Sequence, residues 1–525
     1  ERLVQAEALF ALGDRQRRPA ARFEDAWKNV LLYSEHTWGA HNSISEPDIP
    51  FVLDQWRVKQ GFALDADRQS RELLEAAIVA RASTDASLPS EAIDVLNTTG
   101  WERTDLAIVP AHLARTEVRG VVDGRGRRVP AQKLASGEWA FIARAVPAFG
   151  RSRYTLVSQE TRLGRGLLVE GTTMRSSRLA LEVDARTGAI RSLRRSDAAA
   201  EWVDPAAAVA LNDYRYVLGT NASGAMANGP VSVTVVDPGP LVGTLRIESE
   251  APGCVRLIRQ VRLVEGLDRV DLANEVDRRP VREKDSVHFG YGFQVPGGQI
   301  RMETPWGVVR PNRDQLPGSC RNWFTVQRWV DVSNTDLGIT WAPLDAPLVE
   351  VGGMTANLLG AVGLEEWLTQ AMESTTLYSW AQNNHWFTNY KADQPGVTRF
   401  RYALRPHLGG YSAADCARFG VESSRPLLVV RARGAAEAGA GVELSRDDVL
   451  LETLKTSEDG KAIILRLFGV SGVDRDVRLK WRGLKPISLT LTDLSERPGA
   501  PLGSRLHVPA FGMVCVRAEI EPGKE

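Results

Sequence analysis

Apolar residues recur every three to four positions through the first eighty residues, and then at every second position almost to the end of the chain. Leu3, Ala6, Leu9 and Phe10, closed by Gly13, predict a helix over residues 1–14. Arg15 to Ala21, with Pro19, reads as a turn. Phe23, Ala26, Trp27, Val30 and Leu31 then place a second helix over 23–36. Gly39 and Pro47 stop it. After the polar loop from Asn42 to Pro50, helical spacing resumes from Phe51 to Ala82. Three amphipathic helices with short connections predict an antiparallel three-helix bundle over 1–85. The third helix mixes core and polar positions at Val52, Gln55, Trp56, Lys59, Phe62 and Ala63, so part of that face is expected to meet another domain.

Ser83 to Ser90 is a linker by composition, and the period changes beyond it. Ala92–Asn97, Leu106–Val109, Thr116–Val122, Trp139–Ala143 and Tyr154–Val157 alternate between turn signals, which predicts a small β-sandwich over 91–165. Longer alternating runs follow, among them 179–184, 231–236, 241–249, 255–264 and 270–276, with no strong helical stretch up to about 430. They predict two large stacked sheets over 166–435. The strand Ala462–Phe468 marks a further β domain over 436–525. The fold class is therefore multidomain α+β, a helical bundle followed by mainly-β sandwiches.

At 525 residues the chain exceeds what one hydrophobic core organises. Equal numbers of basic and acidic residues, 65 each, give no reason to expect nucleic acid or an anionic membrane surface as partner. No run approaches the eighteen apolar residues of a membrane span. Cys254, Cys320, Cys416 and Cys515 lie too far apart for a cysteine-based zinc module or a disulfide framework. Free buried thiols, in a reducing compartment, are the expected state. The start at Glu1, inside an amphipathic pattern and without a Met, reads as a cut from something longer. The oligomeric state is left open, a homo-oligomer included.

Candidate chemistry concentrates in two stretches. Tyr33–Pro47 holds Glu35, His36, Trp38 and His41 around the end of the second helix. A neutral imidazole there suits a divalent metal, although a lone histidine at a helix C-terminus is more often a cap on the helix dipole. Two histidines alone are too few for a zinc site. Gln382–Tyr390 is the most polar and aromatic stretch, and Trp386 with Asn384 matches the apolar face and hydroxyl edge of a hexose. The alternative is a long β loop packing between domains. Pro317–Trp323 is a similar loop. Glu365–Glu366 and Asp447–Asp448 are paired only in sequence and read as solvated surface.

Glu35-His36-Thr37-Trp38-Gly39-Ala40, followed by Asp54-Gln55-Trp56-Arg57-Val58-Lys59, resembles the helical-domain signature of family 38 glycoside hydrolases, the retaining α-mannosidases. Val95–Asp105, Val183–Leu193 and Leu451–Leu467 resemble, in the same order, the opening of that family's β part, the start of its galactose mutarotase-like supersandwich and its C-terminal segment. The resemblance implies a zinc-dependent enzyme acting on mannose-containing oligosaccharides or glycosides. It implies that His36 is the last zinc ligand and that Tyr216, with Tyr214 as second choice, reaches a sugar hydroxyl. Retaining glycosidases need two carboxyl groups about 5 Å apart. In this family both, with the remaining zinc ligands, come from an α/β domain preceding the bundle. No alternating β-α pattern occurs in these residues, so the nucleophile is expected on a domain outside them. A non-catalytic carbohydrate-binding or scaffolding β protein, or another α-glycosidase on the same fold, stands as the alternative.

Overall fold

The computed structural model describes residues 1–34, 39–80, 91–114, 118–161, 166–355, 367–385, 389–432, 441–503 and 505–521. The chain divides into two compact units. One comprises 1–34, 60–163 and 413–525, and the other 35–59 and 164–412.

In the first unit, α1 (Arg2–Leu12) and α2 (Ala20–Tyr33) form where helical spacing places them, and α3 (Pro50–Ala80) begins in the second unit and continues into this one. Leu3, Ala6, Leu9 and Phe10 of α1 pack with Phe23, Ala26, Leu73 and Ala77, and with Leu96 of the strand Ala92–Leu96. The opposite side of α1 is not solvated as a bundle helix would be. Ala8, Ala11 and Leu12 join the core of the C-terminal strands, with Val449, Leu465 and Val516. The Gln5 carboxamide is buried with them and donates to Thr98 Oγ1 at 3.0 Å and to the Pro426 carbonyl at 3.2 Å. A stripe of small residues lets α1 lie against β structure on one side and helices on the other.

A five-stranded sheet runs Leu428–Arg431, Ala92–Leu96, Arg151–Val157, Gly120–Asp123, Arg128–Val129, and a three-stranded sheet runs Arg103–Val109, Trp139–Val146, Ala131–Lys133. Strand Leu428–Arg431 thus pairs with the chain more than 300 residues earlier. It follows α4 (Ala413–Ser424), a helix in a region where alternation alone predicts only strands. The helical stripe Cys416, Ala417, Val421 is too short to stand out in sequence and holds because it is buried. The C-terminal four-stranded sheet runs Val449–Thr456, Ala462–Gly469, Met513–Ile520, Pro486–Thr492. Asp448, expected on solvated surface, is buried and accepts from Arg475 and Ser471.

The second unit is built on two antiparallel sheets. Nine strands run Val231–Pro238, Val242–Ser249, Cys254–Val264, Val270–Arg278, Gly396–Leu408, Leu337–Pro343, Val330–Ser333, Gln299–Thr304, Gly307–Val309. Five run Asp213–Leu218, Asp285–Gly292, Thr376–Asn383, Leu348–Val351, Phe324–Thr325. One continuous core joins them, including Leu257, Val261, Leu272, Phe289, Tyr291, Trp341, Leu377 and Tyr402. Burying such area at about 25 cal/mol per Å2 is what holds two sheets face to face. Cys254, Cys416 and Cys515 are buried free thiols, and Cys320 is half-buried.

Candidate functional site

Strand Asp285–Gly292 sends Val287, Phe289 and Tyr291 into the core between the two large sheets, so alternation turns Ser286 and His288 to the other face. His288 is there flanked by a hydroxyl on one side and a carboxylate on the other. Its Nε2 lies 2.8 Å from Ser286 Oγ and its Nδ1 lies 3.1 Å from Glu350 Oε2. The other carboxylate oxygen of Glu350 accepts from the Thr355 backbone N–H at 2.7 Å and its hydroxyl at 2.8 Å. The His288 ring stacks on Trp380 at 5.3 Å, and Trp323 and His385 meet the same indole edge-on, each at 5.5 Å.

His385 is 3% exposed and neither ring nitrogen has a partner among the described residues. Burial, then the neighbouring His288, pushes its pKa down to about 4, with Asp285 opposing and Lys284 assisting. The ring is neutral at pH 7, with one N–H to give and one lone pair to accept with. The Trp380 indole N–H beside it is likewise buried and unpartnered.

The start of the same strand anchors a second polar group. Asp285 accepts from the Tyr216 hydroxyl at 2.7 Å and from Arg278, whose guanidinium lies 5.6 Å over the Tyr216 ring. Burial and the Asp285 hydrogen bond raise the Tyr216 pKa, so the phenol stays protonated. Tyr214 donates to the Pro252 carbonyl at 2.6 Å and sits 3.3 Å from Cys254 Sγ. Both tyrosines point into the sheet-to-sheet core, Tyr214 at 0% and Tyr216 at 3% exposure. No surface of either is offered to a sugar in this structure, because alternation along Asp213–Leu218 places positions 214 and 216 on the inner face.

Three loops meet at the Asp285 end of the five-stranded sheet. Asn384 donates from Nδ2 to the carbonyls of Val281, Glu283 and Ala392 at 3.1, 3.4 and 3.4 Å, while its Oδ1 is buried without a partner among the described residues. Arg282 holds Asp48 through two hydrogen bonds at 2.8 and 2.6 Å and Asp393 through one at 3.2 Å. Ser43 donates to the Tyr390 carbonyl at 2.9 Å, Lys391 lies 5.6 Å over the Trp56 ring, and Val52, Trp56 and Ala392 share a small apolar cluster. A Cβ at position 39 would come within 3.0 Å of Ser43 Cβ and 3.2 Å of Trp56 Nε1, so glycine permits this close turn.

The two stretches singled out in the sequence, the one running to Pro47 and the one from Gln382 to Tyr390, are therefore packed together through Ser43 and Tyr390. His36 and Trp386 themselves lie outside the described residues, as do Glu365 and Glu366. Among the described residues no group of three or more His, Cys, Asp or Glu is arranged to hold a metal ion, so these residues do not by themselves make a zinc site. Ser286, His288, Glu350 and Trp380 escaped the sequence reading. The visible signal was a histidine inside an alternating strand, two positions from a serine, but its carboxylate partner comes from a strand some sixty residues later.

Residues 174–344 match the glycosyl hydrolases family 38 C-terminal domain, and residues 448–522 match the family 38 C-terminal beta sandwich domain. The chain thus carries, in order, two C-terminal domains of glycosyl hydrolase family 38. Among solved structures it is similar to an alpha-mannosidase from Enterococcus faecalis V583, with a TM-score of 0.72 and 14% identity over 99% of this chain and 66% of that one. It is equally similar to a protein in the glycosyl hydrolase family 38 from Enterococcus faecalis, with a TM-score of 0.71 and 14% identity over 99% of this chain and 68% of that one. The chain thus spans about two thirds of the length of these relatives. Comparison with curated protein sequences finds no match.

Proposed function

We propose that this chain serves in the hydrolysis of α-linked mannosides, as the C-terminal portion of a zinc-dependent retaining α-mannosidase whose nucleophile and acid/base carboxyl belong to a domain outside these 525 residues. The observation that carries the reading is the order of the two family matches, 174–344 and 448–522, along a chain whose fold follows an alpha-mannosidase over 99% of its length. His36 is the ligand this chain contributes to zinc, and the ion, when bound, acts as a Lewis acid toward sugar hydroxyls.

The packed loops support a reading of the remaining parts. Gly39, Ser43 and Trp56 fix the segment that follows His36 against residues 390–392. Asn384, buried and tied by three carbonyls, enters as a support: it fixes the chain just before Trp386 from behind. Trp386 is assigned the apolar face of the ring. Tyr216 enters through Asp285, which it braces from behind, and Tyr214 braces the strand beside it.

The test is an assay of the complete gene product on an aryl α-mannoside, before and after chelation and with zinc restored, beside His36→Ala. Turnover with retained anomeric configuration, lost on chelation, recovered with zinc and abolished with zinc binding in the variant, is expected. Absence of turnover on α-mannosides, or turnover indifferent to zinc removal, rejects the reading.

A further inference from the structure

The five-stranded sheet also opens onto a cleft at its other end. Ser286 pairs with Asn383 at the end already described, whereas Gly292 pairs with Thr376 six residues further along, about 20 Å away at strand spacing. An open cleft of about 670 Å3 lies at that far end, within the range of about 300–1,000 Å3 typical of small-ligand sites.

Some polar groups lining it are already committed. Asn312 exchanges hydrogen bonds with the Ala371 backbone at 2.9 and 2.8 Å, and Arg310 grips Asp314 through two at 2.9 and 2.7 Å. Four others are free to bind. Asp204 uses one carboxylate oxygen on the Ala206 N–H and keeps the other, and the side chains of Gln294, Arg313 and Glu373 have no hydrogen-bonding partner among the described residues. Pro311 and Met372, the latter 58% exposed, add an apolar flank.

The charges decide the class of ligand. A phosphate or carboxylate held by Arg313 would meet two uncompensated carboxylates. A bare cation lacks a ligand cluster among the described residues. A neutral polyol uses every group, since carboxylates accept from hydroxyls, a guanidinium donates to them and an amide does both. We propose that this cleft binds a neutral oligosaccharide, remote from the loops that meet at Asp285. The choice of a mannose-built probe rests on the family reading above, while the preference for a neutral polyol rests on the cleft.

The test is calorimetric titration of the 525-residue chain with an α-linked mannopentaose and, separately, with an oligogalacturonate of equal length. Binding of the mannopentaose in preference to the oligogalacturonate is expected, weakened at least tenfold in the Arg313→Ala/Glu373→Ala double variant. Both side chains are exposed, so the variant should melt with the wild type. A wild-type chain that ignores the mannopentaose, a variant that binds it equally well, or tighter binding of the oligogalacturonate overturns the proposal. If the complete enzyme cleaves no α-mannoside while the chain still binds the pentaose through these residues, the cleft stands and the catalytic reading falls.

Discussion

His288 Nδ1 lies 3.1 Å from Glu350 Oε2 with both side chains wholly buried, and the same imidazole carries Trp380 on its face. Through Trp380 the contact reaches His385 and hence the base of the loop that Asn384 anchors.

Removing the carboxylate should be costly. Glu350→Ala leaves the two Thr355 donors without their acceptor and a gap beside His288, and is expected to cost about 1–3 kcal/mol. Glu350→Gln keeps the shape and an acceptor for Thr355 and should cost clearly less. Urea unfolding of both variants checks this, and equal losses would show that volume rather than hydrogen bonding sets the effect.

Asp285 is the corresponding keystone on the inner face. Asp285→Ala leaves the buried Arg278 guanidinium without its carboxylate and should destabilise by about 3–5 kcal/mol. The double variant Arg278→Met/Asp285→Leu, which removes both charges, should recover much of that in a thermal melt. A double variant as unstable as Asp285→Ala alone would contradict the account.

His385 predicts a pH dependence. Its folded pKa, about 4, lies below the ordinary histidine value of about 6.5, so between these values the unfolded chain binds the extra proton. The contribution is complete above about pH 6.5 and is lost progressively on acidification toward pH 4. His385→Phe should hold its urea midpoint better than wild type over that window and equal or exceed it at pH 7, since two unpartnered buried nitrogens are replaced by ring carbons. Parallel pH slopes for the two proteins would count against the buried neutral imidazole.

Gly39 separates packing from chemistry. Gly39→Ala must displace Ser43 and Trp56 by a few tenths of an ångström and should cost about 1–3 kcal/mol. Because the strain falls on the contact with Tyr390, the proposed function expects the complete gene product's turnover of an aryl α-mannoside to drop beyond what the loss of folded protein explains. Circular dichroism and specific activity on the same samples measure both.

Much of the architecture was legible in one dimension. Helical spacing placed α1, α2 and α3 to within a few residues, and alternation located the strands from Ala92 to Val276, because burial on one face imposes its period directly on the sequence. The stretches around His36 and Asn384 stood out by composition, as loops rich in amides, imidazoles and indoles do. Pairing across distance was invisible. The match of Leu428–Arg431 to Ala92–Leu96, the burial of α1 on two sides, and the choice of inner face for Tyr214 and Tyr216 follow from sheet register, which local pattern leaves open. The meeting of Ser43 with Tyr390, and of His288 with Glu350, was settled only when strands and loops far apart in the chain packed together, since what stands beside a buried polar group is decided by the pairing of distant segments and not by its neighbours in sequence.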